Sequence, residues 1–168
     1  MLVRIEPLGG QHDRSPFSSG QPELDDWFHR RAGQDQRRNV ARVFVGVDDR
    51  LAVVGFYSLS AFTLAIEVLP DQLARKLPRC DAIPAVRIGR LARAASTRGQ
   101  GIGELLLGDA IRRTLRVGRS VAVFAIVVDA KDERAVLFYR RFGFQPFPSR
   151  PHRLFLLTST ALAALERS

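Results

Sequence analysis

Arg98, Gly99, Gln100, Gly101, Ile102 and Gly103 place an arginine and three glycines in the six positions that open an amphipathic stretch running to Val117. Glycine lets a backbone bend tightly and bring its amides close to an anion with no Cβ in the way. The first N–H groups of a helix have no partner inside it, so a glycine turn leading into a helix is a place where amides can receive phosphate oxygens. Arg98 adds a positive charge beside them. Two familiar phosphate motifs do not fit: Glu104 stands where G-x-G-x-x-G would need its third glycine, and no Gly-Lys-Ser/Thr occurs for a Walker loop. Taken alone, the segment is equally readable as a plain turn before a helix.

Other reactive side chains are sparse. Cys80, the single cysteine, lies between Arg79 and Asp81 with no histidine near it in sequence; it reads as a bystander rather than a nucleophile, and it excludes an internal disulfide framework. A reducing cytoplasm suits that usage. His12, His29 and His152 are scattered without metal-ligand spacing, so no metal is expected. The 168 residues, 46% hydrophobic and 26% charged, suit one domain with a real core. The net charge of +9 is carried almost wholly by arginine, Lys76 and Lys131 being the lysines. It points to a polyanionic partner (RNA, a phosphorylated cofactor or an acidic protein) or merely to an arginine-rich proteome. The N-terminal MLVRIEPLGG lacks the apolar core of a signal peptide, and the charge-free run from Leu51 to Ile66 is too short and too serine-dotted to span a bilayer, so a soluble protein is expected.

The elements around the glycine segment follow from periodicity. Residues 2–8 predict a short strand ending at Pro7 and the Gly9-Gly10 turn. Pro22 opens a helix with Glu23, Asp25 and Asp26 in its first turn, Arg30 and Arg31 later, and a core face of Leu24, Trp27 and Phe28. The segment GQDQRRN continues helically or loops. Residues 40–49 and 51–66 predict antiparallel strands joined at Asp48-Asp49-Arg50, with Tyr57 at the sheet surface. LPDQLARKLPRC reads as an exposed basic loop with one short helical piece. Residues 86–94 predict a strand, and 101–117 a helix with a stripe of Gly103, Leu106, Leu107, Ala110, Ile111, Thr114 and Val117 opposite Glu104, Asp109, Arg112, Arg113 and Arg116. VAVFAIVV, apolar on both faces, predicts a central buried strand. A helix from Asp132, burying Ala135, Phe138 and Phe142, stops at Gly143. Two short strands, about 144–147 and 154–158, and a terminal helix complete the chain. Strand, helix, buried strand makes a βαβ unit that sets the helix N-terminus beside the end of the first strand.

Two stretches together carry a family resemblance. Arg98 to Gly103 fits the arginine/glutamine-x-x-glycine-x-glycine/alanine signature of the GNAT N-acetyltransferase superfamily, and Phe138-Tyr139 followed by Phe142-Gly143-Phe144 resembles that family's next motif. The segments FSSGQPELDDWFHRRAGQDQRRNVARVFVG, LPDQLARKLPRCDAIPAVRIGRLAR and FYRRFGFQPFP resemble one subgroup, the GNAT toxins of bacterial toxin–antitoxin pairs. The fold so implied is α/β (α+β): a mixed, mostly antiparallel twisted sheet of six to seven strands with a central βαβ unit and flanking helices, in a single domain over 1–168.

The resemblance also assigns roles. Amides of Arg98, Gly99, Gln100, Gly101, Ile102 and Gly103 would hold the pyrophosphate of acetyl-CoA; Leu91, Ala92 and Arg93 would bond its pantetheine arm, with Phe138 also on the cofactor side. Tyr139 matches the catalytic tyrosine, placed to protonate the departing thiolate, its bland alternative being a packed helix aromatic. Acetylation would fall on the α-amine of aminoacyl-tRNA and stop translation. A cognate ribbon-helix-helix antitoxin and a homodimer are the implied protein partners. Arg37, Arg38, Arg75, Lys76 and Arg79 are candidates for the tRNA backbone. Arg90 and Arg93 could face the acceptor or the cofactor phosphates, or be solvated charge. Arg93 and Ala94 depart from the apolar residue and aspartate that many relatives carry. Two other readings stay open: a GNAT enzyme acting on a protein N-terminus, a lysine or a small amine, and a non-catalytic RNA- or protein-binding module of the same fold.

Overall fold

Proline fixes φ for a first helical turn, and Pro22 does begin helix α1 (Pro22–Arg30), with Glu23 and Asp25 in the first turn and His29 and Arg30 in the last. The computed structural model describes residues 1–79 and 82–167, and Cys80 lies outside them. The other elements are β1 (Val3–Pro7), α2 (Ala32–Arg37), β2 (Arg42–Asp48), β3 (Val53–Leu64), α3 (Asp71–Ala74) and β4 (Ile83–Arg93). There follow α4 (Ile102–Val117), β5 (Ala125–Asp129), α5 (Glu133–Arg141), β6 (Gln145–Phe147), β7 (Arg150–Leu157) and α6 (Thr158–Glu166). GQDQR is thus helical, and Arg38 and Asn39 lie beyond the helix. The seven strands hydrogen-bond in the order β1-β2-β3-β4-β5-β7-β6. The β4–β5 pair is parallel, as the βαβ reading requires, while β1–β2, β2–β3, β5–β7 and β6–β7 are antiparallel.

The chain forms two units, each discontinuous in sequence. The first combines residues 1–60 with 89–110. Its core is an aromatic layer: Phe28 stacks flat on Phe56 at 4.2 Å, and Phe17 stands edge-on to both at 5.1 and 5.5 Å. Val43, Val45, Val47 and Ala92 close around it, with Leu24 packed on its margin, so the apolar face of α1 is core as its spacing requires. The β2–β3 hairpin turns at Asp48, whose carboxylate accepts from the Arg50 and Ala52 amides.

The second unit combines residues 61–88 with those from 111 onward. Ala125, Ile126, Val127 and Val128 are all fully buried, pairing with β4 on one side and β7 on the other. This is the central strand expected from VAVFAIVV, but it starts four residues later. Phe124 still donates to Pro84 O at 2.9 Å, yet proline has no N–H to extend the ladder, and Val121 is 65% exposed. In α4 the buried residues are Ile102, Leu106, Leu107, Ala110, Thr114 and Leu115, whereas Val117, expected on that stripe, is 48% exposed.

Candidate active site

In the first unit, backbone geometry builds the glycine turn. Ala94 N donates to Val54 O at 2.7 Å and Ala95 N to Ser18 O at 2.8 Å, which ties the exit of β4 to two other segments. Thr97 is buried and returns its hydroxyl to Ala94 O at 2.7 Å. The chain then passes through Gly99 at φ +79° and Gly101 at φ +77°, left-handed conformations that L side chains resist. A Cβ on Gly99 would meet nothing within 4 Å, so the backbone angle, not crowding, demands glycine there. Leu105 N donates to Gly101 O at 3.1 Å, the first rung of α4. The amides of Ile102, Gly103 and Glu104 precede that rung and have no acceptor within the helix. Ile102 is buried and anchors the turn, while Arg98, Gly99 and Gln100 are exposed. Gly99, exposed, and Gly101, half-buried, thus stand in αL directly ahead of a helix head, a backbone shape able to receive an anion. Upstream on β4, Ala92 is in the aromatic core, and alternation sends Leu91 and Arg93, both half-buried, to the opposite face.

In the second unit, Asp132 caps α5 by accepting from Ala135 N at 2.9 Å. Gly143, at φ +93°, ends it, with its N–H on Arg140 O. Between these stops the helix buries Val136 and Tyr139, not the expected stripe of Ala135, Phe138 and Phe142, which are all half-buried. Tyr139 is 7% exposed and packs edge-on to Phe138 at 5.2 Å and Phe144 at 5.6 Å. Burial, and secondarily the charge of Asp129, push its phenol up to about 12. Among the described residues no hydrogen bond engages its hydroxyl. It is a phenol that keeps its proton at any physiological pH.

Asp129, which the sequence analysis did not single out, ends β5. Arg153 holds it through Nε at 2.8 Å and a terminal nitrogen at 3.2 Å, and Arg87 through a terminal nitrogen at 3.0 Å. Burial alone would raise its carboxyl; the Arg153 hydrogen bonds and the charges of Arg153, Arg87 and Arg150 outweigh that and hold it below the ordinary value. Its one sequence signal is an acid closing an otherwise apolar strand.

The basic candidates fall in both units. Arg37 and Arg38, at the end of α2, are exposed in the first; Arg75, Lys76 and Arg79, after α3, are exposed in the second. Arg90 is half-buried: its guanidinium lies 4.2 Å over the Trp27 ring and its N–H donates to Ser58 Oγ at 3.1 Å. Tyr57 is corrected outright. It is fully buried, not at the sheet surface, and its hydroxyl donates to Asp109 at 2.5 Å. Asp109, expected on the outer face of α4, is half-buried for that reason.

A family model described as an acetyltransferase (GNAT) domain matches residues 39–146. The chain belongs to the GNAT acetyltransferases. Within them it groups with tRNA-acetylating toxins: it is 37% identical over 153 residues to a tRNA-acetylating toxin of Mycobacterium tuberculosis, covering 91% of this chain and 90% of the relative. Among solved structures, AtaT complexed with acetyl-methionyl-tRNAfMet superposes with a TM-score of 0.89 at 25% identity, over 97% of this chain and 99% of that one. AtaTR bound with AcCoA superposes with a TM-score of 0.84 at 25% identity, over 97% and 98%. This GNAT enzyme takes its acetyl group from acetyl-CoA, and the seven-stranded mixed sheet is the GNAT fold. Among the described residues no helix is long and apolar enough to cross a membrane.

Proposed function

We propose that the whole chain, 1–168, works as one cytoplasmic domain that transfers acetyl from acetyl-CoA to the α-amino group of an aminoacyl-tRNA and thereby blocks translation. The observation that carries this is the kinship with a tRNA-acetylating toxin, which runs through nine-tenths of both chains. Acetyl-CoA supplies the thioester. The amides of residues 98–103 receive its pyrophosphate, Arg98 adds charge, Leu91, Ala92 and Arg93 bond the pantetheine arm, and Phe138 packs on the cofactor side. An α-amine with a reference pKa of about 8 is partly neutral in the cell, so it attacks without a dedicated base and its proton goes to water. Tyr139 holds its proton at Oη for the departing sulfur. Arg37, Arg38, Arg75, Lys76, Arg79 and Arg90 meet the tRNA. A ribbon-helix-helix antitoxin neutralises the enzyme, which acts as a homodimer.

Purified protein incubated with acetyl-CoA and charged tRNA should yield acetyl-aminoacyl adenosine on nuclease digestion and mass spectrometry, while uncharged tRNA stays unmodified. Phosphate contacts make this transfer fall steeply with added salt, and transfer to a small amine far less. Absence of the product at every salt concentration would exclude the reading.

The raised phenol gives a pH signature. Below the unfolded value near 10 the group is protonated in both states; it loses its proton in the folded enzyme only as pH climbs towards about 12. The initial rate should therefore rise as the acceptor amine is neutralised, with a midpoint at about pH 8, and stay level to about pH 10. A decline setting in near pH 9 would mean that a different, more acidic group serves as the proton donor.

A further inference from the structure

The acetyl-CoA reading makes the position of α4 decisive, because the head of that helix carries the amides at issue. Periodicity alone does not say what fixes the helix on the sheet. In the first unit Gly46 on β2 and Gly55 on β3 are direct cross-strand partners. Two facing residues without side chains leave a flat notch, and Leu106, fully buried, sits over it. A Cβ on Gly55 would stand 2.7 Å from Leu106 Cδ1, 3.0 Å from Ala92 O and 3.3 Å from Ile102 Cγ2, so Gly55 is the tight side of the notch; one on Gly46 would press on Val3 Cγ1 at 3.2 Å and only touch Leu106 Cδ2, at 3.7 Å. Two residues along β3 on the same face comes Tyr57, opposite Phe44 in register and stacked on it at 5.1 Å. Its hydroxyl donates to Asp109, three residues beyond Leu106 and so on the same side of the helix.

We infer that the Gly46–Gly55 notch and the Tyr57–Asp109 bond are positioning elements for acetyl-CoA: the notch sets the height of α4 on the sheet and the bond sets its rotation, and together they aim the amides of residues 101–103. None of these four residues touches the cofactor in this account. They act through the helix. The arrangement is specific because each part answers a different freedom. A side chain on Gly55 would press on Leu106, Ile102 and the Ala92 carbonyl and lift the head of the helix; the phenol–carboxylate bond adds a directional polar tie, made at one rotation, to a helix otherwise held by the apolar packing of Ile102, Leu106, Leu107 and Ala110.

The inference rests on the acetyl-CoA reading, and calorimetry with CoA separates the two. Wild-type protein should bind CoA. Tyr57→Phe, which removes one oxygen, should weaken CoA binding and raise the acetyl-CoA KM about tenfold while kcat stays within about twofold. Asp109→Asn keeps an acceptor oxygen for the phenol and should lose less than about threefold. Gly55→Ala should match Tyr57→Phe in raising KM with kcat held; it reaches the same helix by another route if Tyr57→Phe does not fold. Unchanged CoA affinity and KM in folded Tyr57→Phe and Gly55→Ala, with only the melting temperature lowered, would reduce both features to general stability and overturn the inference. If wild-type protein bound no CoA, the functional reading would fall with it.

Discussion

Tyr139→Phe is expected to keep the fold and bind acetyl-CoA as wild type does, but to lose acetyl transfer by about 10²- to 10⁴-fold, nearly all of it in kcat, the range for removing a general acid. The variant takes away one oxygen and leaves the ring between Phe138 and Phe144. Its hydroxyl engages no hydrogen-bond partner among the described residues, so the deletion strands no protein group. Thermal unfolding within a few degrees of wild type, together with unchanged CoA binding by calorimetry, would isolate the chemical step. Wild-type turnover would instead assign the proton to water and leave Tyr139 as a packed aromatic.

Gly99→Val combined with Gly101→Val should weaken acetyl-CoA binding about a hundredfold or more. Each glycine lies in the left-handed region, where a non-glycine residue costs on the order of 1–3 kcal/mol and a β-branched one is worst placed. The exposed loop relieves that strain by leaving its shape, and its amides leave with it. Gly103 is the weaker target, because it stands within the helical first turn of α4. Circular dichroism should report a folded protein, since little packs against Gly99 or Gly101. Unchanged acetyl-CoA affinity in the folded double variant would remove the glycine turn from the cofactor site.

These two predictions differ in how far the sequence led. The glycine turn was legible because local chemistry alone dictates it: glycines at fixed offsets before a 3.6-residue period require a turn and a helix whatever surrounds them. Tyr139 was legible by family motif, but its surroundings were not. Spacings of three and four in α5 suit the stripe Ala135, Phe138 and Phe142 as well as Val136 and Tyr139, and a nine-residue helix offers too few turns for periodicity to choose. Tyr57 was misplaced for a different reason. A tyrosine in a strand reads as surface until a partner for its hydroxyl is known, and Asp109 lies 52 residues away in sequence. The Gly46–Gly55 notch was hidden likewise, since it exists only once strand register is fixed. Asp129 became visible when β4, β5 and β7 brought Arg87 and Arg153 to it.

The first unit takes residues 1–60 and then, after residues 61–88, residues 89–110. A ribosome making this chain therefore delivers the aromatic layer early and waits for residue 94 before Val54 and Ser18 can receive the amides of Ala94 and Ala95. Synthesis proceeds at roughly 5–20 residues per second, so the glycine turn forms seconds after the segments that brace it. Tyr139 emerges later still. An enzyme that silences translation as proposed is thus inert, and the ribosome producing it is spared, until Tyr139 has followed the glycine turn out of the ribosome.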